Sequence, residues 1–254
     1  MPSKLKMINQ GIQLIASQQL RNNHLICKGY DVVVINNTVD FINLKTFDMH
    51  GPWNPGEADH HAPLYKRPWD DENNLYYVDY TVNYLTEQGI PPGIINLGIP
   101  VYGRTWTLAT LASVDPELPA EAEGPGNGGE YTMQPGFLGY HEICYAVKED
   151  GWDVIKDPDH FNGPYAVSPY APKTWVGFDD AEMASVKANY AIDKHLGGSM
   201  VWDISTDDFA NRCGDGNNPI MKSISQTMGI GSLTPRGRFV CYFPNWTGYR
   251  PGNN

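Results

Sequence analysis

A chain of 254 residues with 41% hydrophobic and only 19% charged side chains suits one large domain or two smaller ones, and is too apolar to be disordered. Its formal charge of −11 argues against a nucleic-acid backbone as partner, since such binders concentrate basic groups on one face; a neutral polymer such as a polysaccharide is compatible with it. No stretch reaches the apolar length that a membrane span requires, and Met1 to Gln10 lacks the apolar core of a signal peptide.

Along the chain, Ile12 to Ala16 is a short apolar run that reads as a strand, and Gln18 to Gly29 is irregular. Tyr30 to Asn37 reads either as a short helix or as a turn into the next strand. Val39 to Gly51 is a mostly apolar run that ends in an acid, a histidine and a glycine, a strand followed by its mouth. Pro52 to Asp71, rich in Trp, Pro, Gly and His, reads as a mouth loop. Asn74 to Gln88 has helical spacing, with Leu75, Val78, Val82 and Leu85 on one side and Gly89 as the stop.

A second strand-like run extends from Ile94 to Trp106. Alternation places Asn96, Gly98, Pro100, Tyr102 and Arg104 on one face and Ile95, Leu97, Ile99 and Val101 on the other. Asp115 to Gly129 reads as a surface loop, and Glu130 to Trp175 as a small α+β insertion broken by turns. Ala181 to Lys194 reads as a helix with a stripe of Met183, Val186, Tyr190 and Ala191, capped by Asp179 or Asp180. Ser199 to Ile204 is a third strand, and Asn218 to Met228 a last helix. Gly229 to Gly237 reads as a linker; Phe239 to Phe243 is either a closing strand or the start of another module. Three strands that deliver polar groups at their C-terminal tips, with helices between them, describe a ligand site on an α/β scaffold.

Cys27, Cys144, Cys213 and Cys241 are too widely spaced for a zinc knuckle or redox pair, and their even number leaves a disulfide framework open. The sequons at Asn36 and Asn245 matter only in the secretory pathway. His50, His60 and His61 invite a metal reading, but their Trp/Pro/Gly-rich loop brings no acidic ligand set, so no metal and no cofactor is expected.

Several motifs in order resemble family 18 glycoside hydrolases, specifically animal chitinases of arthropod type and chitinase-like proteins. Phe41-Ile42-Asn43-Leu44-Lys45-Thr46-Phe47-Asp48-Met49-His50-Gly51 resembles the sixth barrel strand of that family, Leu97 to Arg104 the seventh, and Gly197 to Trp202 with Asp207-Asp208-Phe209 the eighth. Gly129-Glu130-Tyr131-Thr132, Gly136-Phe137 and Glu142-Ile143-Cys144 resemble the family's insertion, and Trp175 to Asp180 its exit. The resemblance implies an incomplete (β/α)8 TIM barrel, about strands five to eight, with an α+β insertion at 130–177; Ile12 to Ala16 is a poor match to strand five. It implies a barrel part over 1–228, a linker at 229–237, and at 238–254 the first strand of a following module.

The function that follows from the resemblance is hydrolysis of β-1,4-N-acetylglucosamine linkages in chitin by a retaining, substrate-assisted route. The family's acid motif, Asp-x-x-Asp-x-Asp-x-Glu on strand four, does not occur in these residues. The expectation is therefore a partial module, inactive alone, from an extracellular multi-module parent; the alternative is a non-catalytic chitin-binding protein. A half barrel is also expected to expose unpaired edges on its first and last strands, with Phe239 to Phe243 a candidate to add beside Ser199 to Ile204.

By the same resemblance, Asp48 supports catalysis, against the plainer reading that it caps the following loop. Tyr102, Arg104 and Trp202 contact sugar, Trp202 as the floor beneath the cleaved unit, where an ordinary core aromatic is the competing reading. Phe47 replaces a tyrosine whose hydroxyl steadies the acetamido group, and Lys45 replaces a methionine. A lysine there must find a carboxylate or lower its pKa. Trp53 and Trp106 are candidates for outer subsites against surface packing. Cys144 and Cys213 match a family disulfide, and Cys241 matches the first cysteine of a new module.

Overall fold

The computed structural model describes residues 31–109 and 119–229, together with the backbone of Ile12–Ile15. Its organising element is a four-stranded parallel sheet in the order β1 (Ile12–Ile15), β2 (Ile42–Lys45), β4 (Ile95–Pro100) and β11 (Gly198–Trp202). Spatial order follows chain order, as in a stretch of barrel wall. Ile12 pairs with Ile42, so the weak match to strand five is in fact a parallel neighbour of β2.

The outer face of this sheet is apolar because helices cover it. Ile42, Leu44, Ile95 and Leu97 pack against Val78, Val82 and Leu85 of α2 (Val78–Glu87) and Met183, Tyr190 and Ala191 of α4 (Ala181–Asp193). The choice left open for residues 30–37 falls to helix: α1 spans Val32–Thr38, with Asp31 Oδ1 accepting from the Val34 N–H at 3.0 Å. At α4 the cap is Asp180, which accepts from the Met183 N–H at 2.8 Å. Asp179 turns inward instead. The other face of the sheet is layered: Asn43 lies level with Asn96, and the Asn96 amide donates to Asn43 Oδ1 at 3.0 Å. Gly98 pairs with Met200 and Pro100 with Trp202 one and two layers higher.

The run from Ile94 to Trp106 is not one strand. At Val101 the chain leaves the parallel sheet; the Val101 N–H donates to the Trp202 carbonyl and its own carbonyl accepts from Tyr140 N–H. β5 (Tyr102–Leu108) then enters a second, seven-stranded antiparallel sheet. That sheet runs β3 (Glu57–Ala58), β6 (Ala120–Pro125), β5, β10 (Thr174–Gly177), β9 (Tyr165–Val167), β8 (Asp153–Ile155), with β7 (Phe137–Gly139) beside β5. It therefore takes in strands that precede residue 130. β6 lies inside the expected surface loop: Ala122 and Gly124 are buried and Glu121 and Glu123 exposed, a period-two pattern hidden by small residues.

α3 (Tyr140–Glu149) closes the insertion, and Glu142 binds its start, accepting from the N–H groups of Tyr131, Thr132 and Gly139. Cys144 on α3 is bonded to Cys213 with a Cα–Cα distance of 5.8 Å, the expected disulfide. α5 (Pro219–Thr227) packs Ile220 and Ile224 against Ile143, Ala184 and Ala188. Among the described residues no helix is long and apolar enough to cross a membrane. Residues 230–237 of the linker, Phe239–Phe243, Cys27 and Cys241 lie outside the described residues.

Candidate functional site

The C-terminal ends of β2, β4 and β11 and the start of β5 converge on Asp48, three residues past β2. Asp48 has φ of 62°, the left-handed region that aspartate tolerates better than bulkier residues, and this turns its carboxylate back over the sheet. Oδ1 accepts from the Tyr102 hydroxyl at 2.7 Å and from Arg104 Nε at 2.7 Å. Oδ2 lies 2.7 Å from Lys45 Nζ. Of the two outcomes open to a lysine at that position, the structure takes the carboxylate partner. Asp48 is only 6% exposed; burial alone works against its charge, but His61 and Arg104 outweigh that and hold the carboxyl well below the usual range. The same burial, with the Asp48 charge alongside, pushes the Tyr102 hydroxyl well up, so it remains a donor.

Aromatic rings wrap this ionic centre. Tyr102 stacks on Phe137 with centroids 4.6 Å apart and meets Phe47 edge-on at 6.0 Å. The Arg104 guanidinium lies 5.0 Å from the Trp53 ring and 5.4 Å from Phe137, close enough for cation–π attraction. Phe47 is fully buried over Gly98, where any Cβ would meet the Phe47 ring and the Leu44 carbonyl. Met200 of β11 packs against Phe47 and Tyr102. Trp202 stands two residues further along the same strand face and is 46% exposed. Asp48, Tyr102, Arg104, Phe47 and Trp53 are thus brought together; Trp202 is not in contact with them, lying at the end of β11 opposite Pro100. Trp106 is not at the surface: it is fully buried, edge-on to Trp175 at 5.5 Å, and its ring N–H donates to the Asn54 carbonyl. It belongs to the insertion's core, and the outer-subsite reading for it is withdrawn.

Four buried arrangements surround the site, and the sequence reading assigned none of them: His60 and His61 were read there only as metal candidates, and Asp179 only as a helix cap. His61, 13 residues beyond Asp48, places Nδ1 3.7 Å from Asp48 Oδ1. Burial lowers its pKa, while Asp48 pulls the other way. His60 packs edge-on to Tyr165 and Trp175; burial, with Arg67 nearby, pushes its pKa down to about 3 against the pull of Asp59. Asp59 and Asp70 clamp Arg67, with Arg67 Nη2 at 2.9 Å from Asp59 Oδ2 and 2.6 Å from Asp70 Oδ1. Beneath the loop, Lys187 of α4 pairs with Asp179 at 2.5 Å and donates to the Ala62 carbonyl at 2.7 Å. The only signal in the sequence was the histidines of one loop, whose acidic neighbours Asp59 and Asp70 were not counted as their partners. Nothing local says that such groups are buried. Among the described residues the one cysteine/acid cluster of metal-site size is Cys144, Asp208 and Cys213, whose sulfurs are committed to the disulfide.

A parallel βα wall with an ionic and aromatic centre at its strand tips, and an antiparallel α+β insertion set over one strand, defines an α/β scaffold of barrel type with a polar ligand site. Residues 4–207 match the profile of glycosyl hydrolases family 18. Probable chitinase 10 of Drosophila melanogaster is 39% identical over 204 residues, which cover 80% of this chain and 9% of that protein. Catalytic domain 2 of the Ostrinia furnacalis group II chitinase superposes with a TM-score of 0.77 at 35% identity, over 84% of this chain and 54% of that one. Human YKL-39, described as a pseudo-chitinase with retained chitooligosaccharide binding, superposes with a TM-score of 0.73 at 36% identity, over 80% of this chain and 54% of that one. The chain belongs to glycosyl hydrolase family 18, whose members have TIM-barrel folds, and it spans about half the length of these solved relatives.

Proposed function

We propose that residues 1–228 form the C-terminal part of a chitinase module, supplying one wall of a site for chitin or N-acetylglucosamine oligomers. A linker and the opening strand of a second module follow, in a secreted multi-module parent. The observation that carries this reading is the Asp48 centre. A carboxylate kept ionised by its setting beside His61 and Arg104, and bonded by Tyr102, Arg104 and Lys45, can only accept hydrogen bonds. Its Oδ2, which takes only Lys45 among the described residues, has capacity left for a sugar N–H or O–H. Trp202, half exposed at the end of β11, offers a flat apolar ring of the kind that covers the C–H face of a pyranose.

The proposed role of Asp48 is to hold and polarise the reacting sugar while its acetamido oxygen attacks C1. That step needs a proton delivered to the leaving oxygen. The 254 residues contain no Asp-x-x-Asp-x-Asp-x-Glu, so this chain alone is expected to bind oligomers without cleaving them. Pull-down on insoluble chitin tests the binding: the chain is retained, and Trp202→Ala reduces retention about tenfold. Release of oligomers from chitin by the purified chain would overturn the assignment of an inactive partial module.

A second reading, a non-catalytic chitin-binding protein, is favoured by Phe47 and Lys45. Phe47 carries no hydroxyl to steady an acetamido intermediate, and Lys45 already competes with a sugar donor at Asp48 Oδ2. Loss of an oriented donor of this kind costs roughly 10²-fold or more in rate. Absence of turnover in a longer polypeptide that carries an upstream acid motif would select this reading over the first.

A further inference from the structure

The Asp48 centre has a member with no bond of its own. His61 is 1% exposed, and neither of its ring nitrogens has a hydrogen-bond partner among the described residues. An imidazole buried in this way is costly, and a structure that keeps one calls for a reason. Its position is well fixed. The Met49 N–H, adjacent to Asp48, donates to the His61 carbonyl at 2.9 Å, and Lys187 holds the next carbonyl, Ala62, at 2.7 Å. The ring lies tilted against Tyr102 with centroids 5.0 Å apart, which leaves Nδ1 aimed at Asp48 Oδ1 at 3.7 Å, just outside bonding reach.

The reason the gap stays open is on the same oxygen. A carboxylate oxygen has two lone pairs, and Tyr102 and Arg104 occupy both at 2.7 Å. His61 is a third claimant to a filled acceptor. Tyr102 and Arg104 are also the two groups expected from the sequence to contact sugar, and on that reading ligand entry draws one of them off Asp48.

We propose that His61 is a reserve donor: when sugar takes the Tyr102 hydroxyl or the Arg104 guanidinium, the neutral His61 ring donates its Nδ1 proton to Asp48 Oδ1 in their place. It is a positioning residue that keeps the carboxylate oriented while its other partners change. The assignment fixes the tautomer, with the proton on Nδ1 and Nε2 bare. It rests on the sugar-site reading for its trigger but not for its geometry, so the two can be tested apart.

The ligand-free test uses Tyr102→Phe, which keeps the stacked ring and vacates one lone pair of Oδ1. Imidazole ¹⁵N and ¹H NMR of the full chain should show a His61 Nδ1 proton moving downfield and becoming protected from exchange in this variant, relative to wild type. An unchanged His61 signal overturns the proposal whatever the chain binds. The ligand test titrates a soluble N-acetylglucosamine oligomer. His61→Leu should weaken binding about tenfold, and His61→Asn, whose amide can donate from the same place, should recover most of it. Equal loss in both variants assigns His61 a packing role and refutes reserve donation. If wild type binds no oligomer, the sugar-site reading fails while the Tyr102→Phe spectrum still decides the geometry.

Discussion

Lys187→Met is the substitution that tests most directly how the floor of the site is held. Lys187 is fully buried, and its ammonium serves both Asp179 and the Ala62 carbonyl. Methionine matches the stem's volume but leaves an uncompensated carboxylate at 2% exposure and an unmet carbonyl. Breaking a buried pair from one side costs about 3–5 kcal/mol. With a urea slope of about 3 kcal/mol/M, the unfolding midpoint should fall by about 1–1.7 M. The loss should also depend on pH. Burial already raises the Asp179 pKa, with Lys187 opposing it; without the lysine the folded carboxyl binds protons that the unfolded one does not. Stability then falls as pH rises, so the deficit is greatest near neutrality and shrinks toward acid. Lys187→Met with Asp179→Leu should recover most of the stability, since an apolar pair carries no desolvation cost. A single-variant loss below about 1 kcal/mol, or a deficit that grows on acidification, would refute the reasoning.

Three further outcomes are expected. Reducing Cys144–Cys213, or replacing both with serine, frees a loop of 69 residues and should cost about 4 kcal/mol on the chain-entropy estimate, read as a lower unfolding midpoint in dithiothreitol. His60 remains neutral in the fold down to about pH 3 while the unfolded chain protonates near 6.5. Its contribution is therefore complete above pH 6.5 and is lost as pH falls toward 3, at up to about 1.4 kcal/mol per pH unit; His60→Phe should flatten that part of the stability profile. Gly98→Ala drives a methyl into the Leu44 carbonyl and the Phe47 ring, so it should destabilise by about 1–3 kcal/mol and weaken oligomer retention on chitin by displacing the ring beneath Tyr102.

Local pattern alone was enough to locate the regular elements and the strand tips that carry the site. Alternation marked β4 and the outward apolar face of the parallel sheet, helical spacing marked α2 and α4, and the Asp48 stretch announced itself because an apolar strand ends there in charged residues. These signals are legible because burial on one face forces a period on the residues that cover it. β6 was lost because Ala, Glu and Gly alternate with little contrast in hydropathy. Tyr102 and Arg104 were placed on the wrong strand because alternation runs unbroken through Val101, where the chain changes sheets.

What only the tertiary structure decided is which charges are buried and against what. Nothing local distinguishes Asp179, which turns in to Lys187, from Asp180, which caps α4. Nor does a lysine in mid-helix, or a His-His pair in a loop, state its depth. Lys45 with Asp48, Lys187 with the Ala62 carbonyl, and His61 beside Asp48 each join groups whose meeting depends on how the mouth loop folds back over the sheet. Electrostatic energy in such a place is fixed by distance and by exclusion of water, and neither quantity exists until the chain has closed on itself.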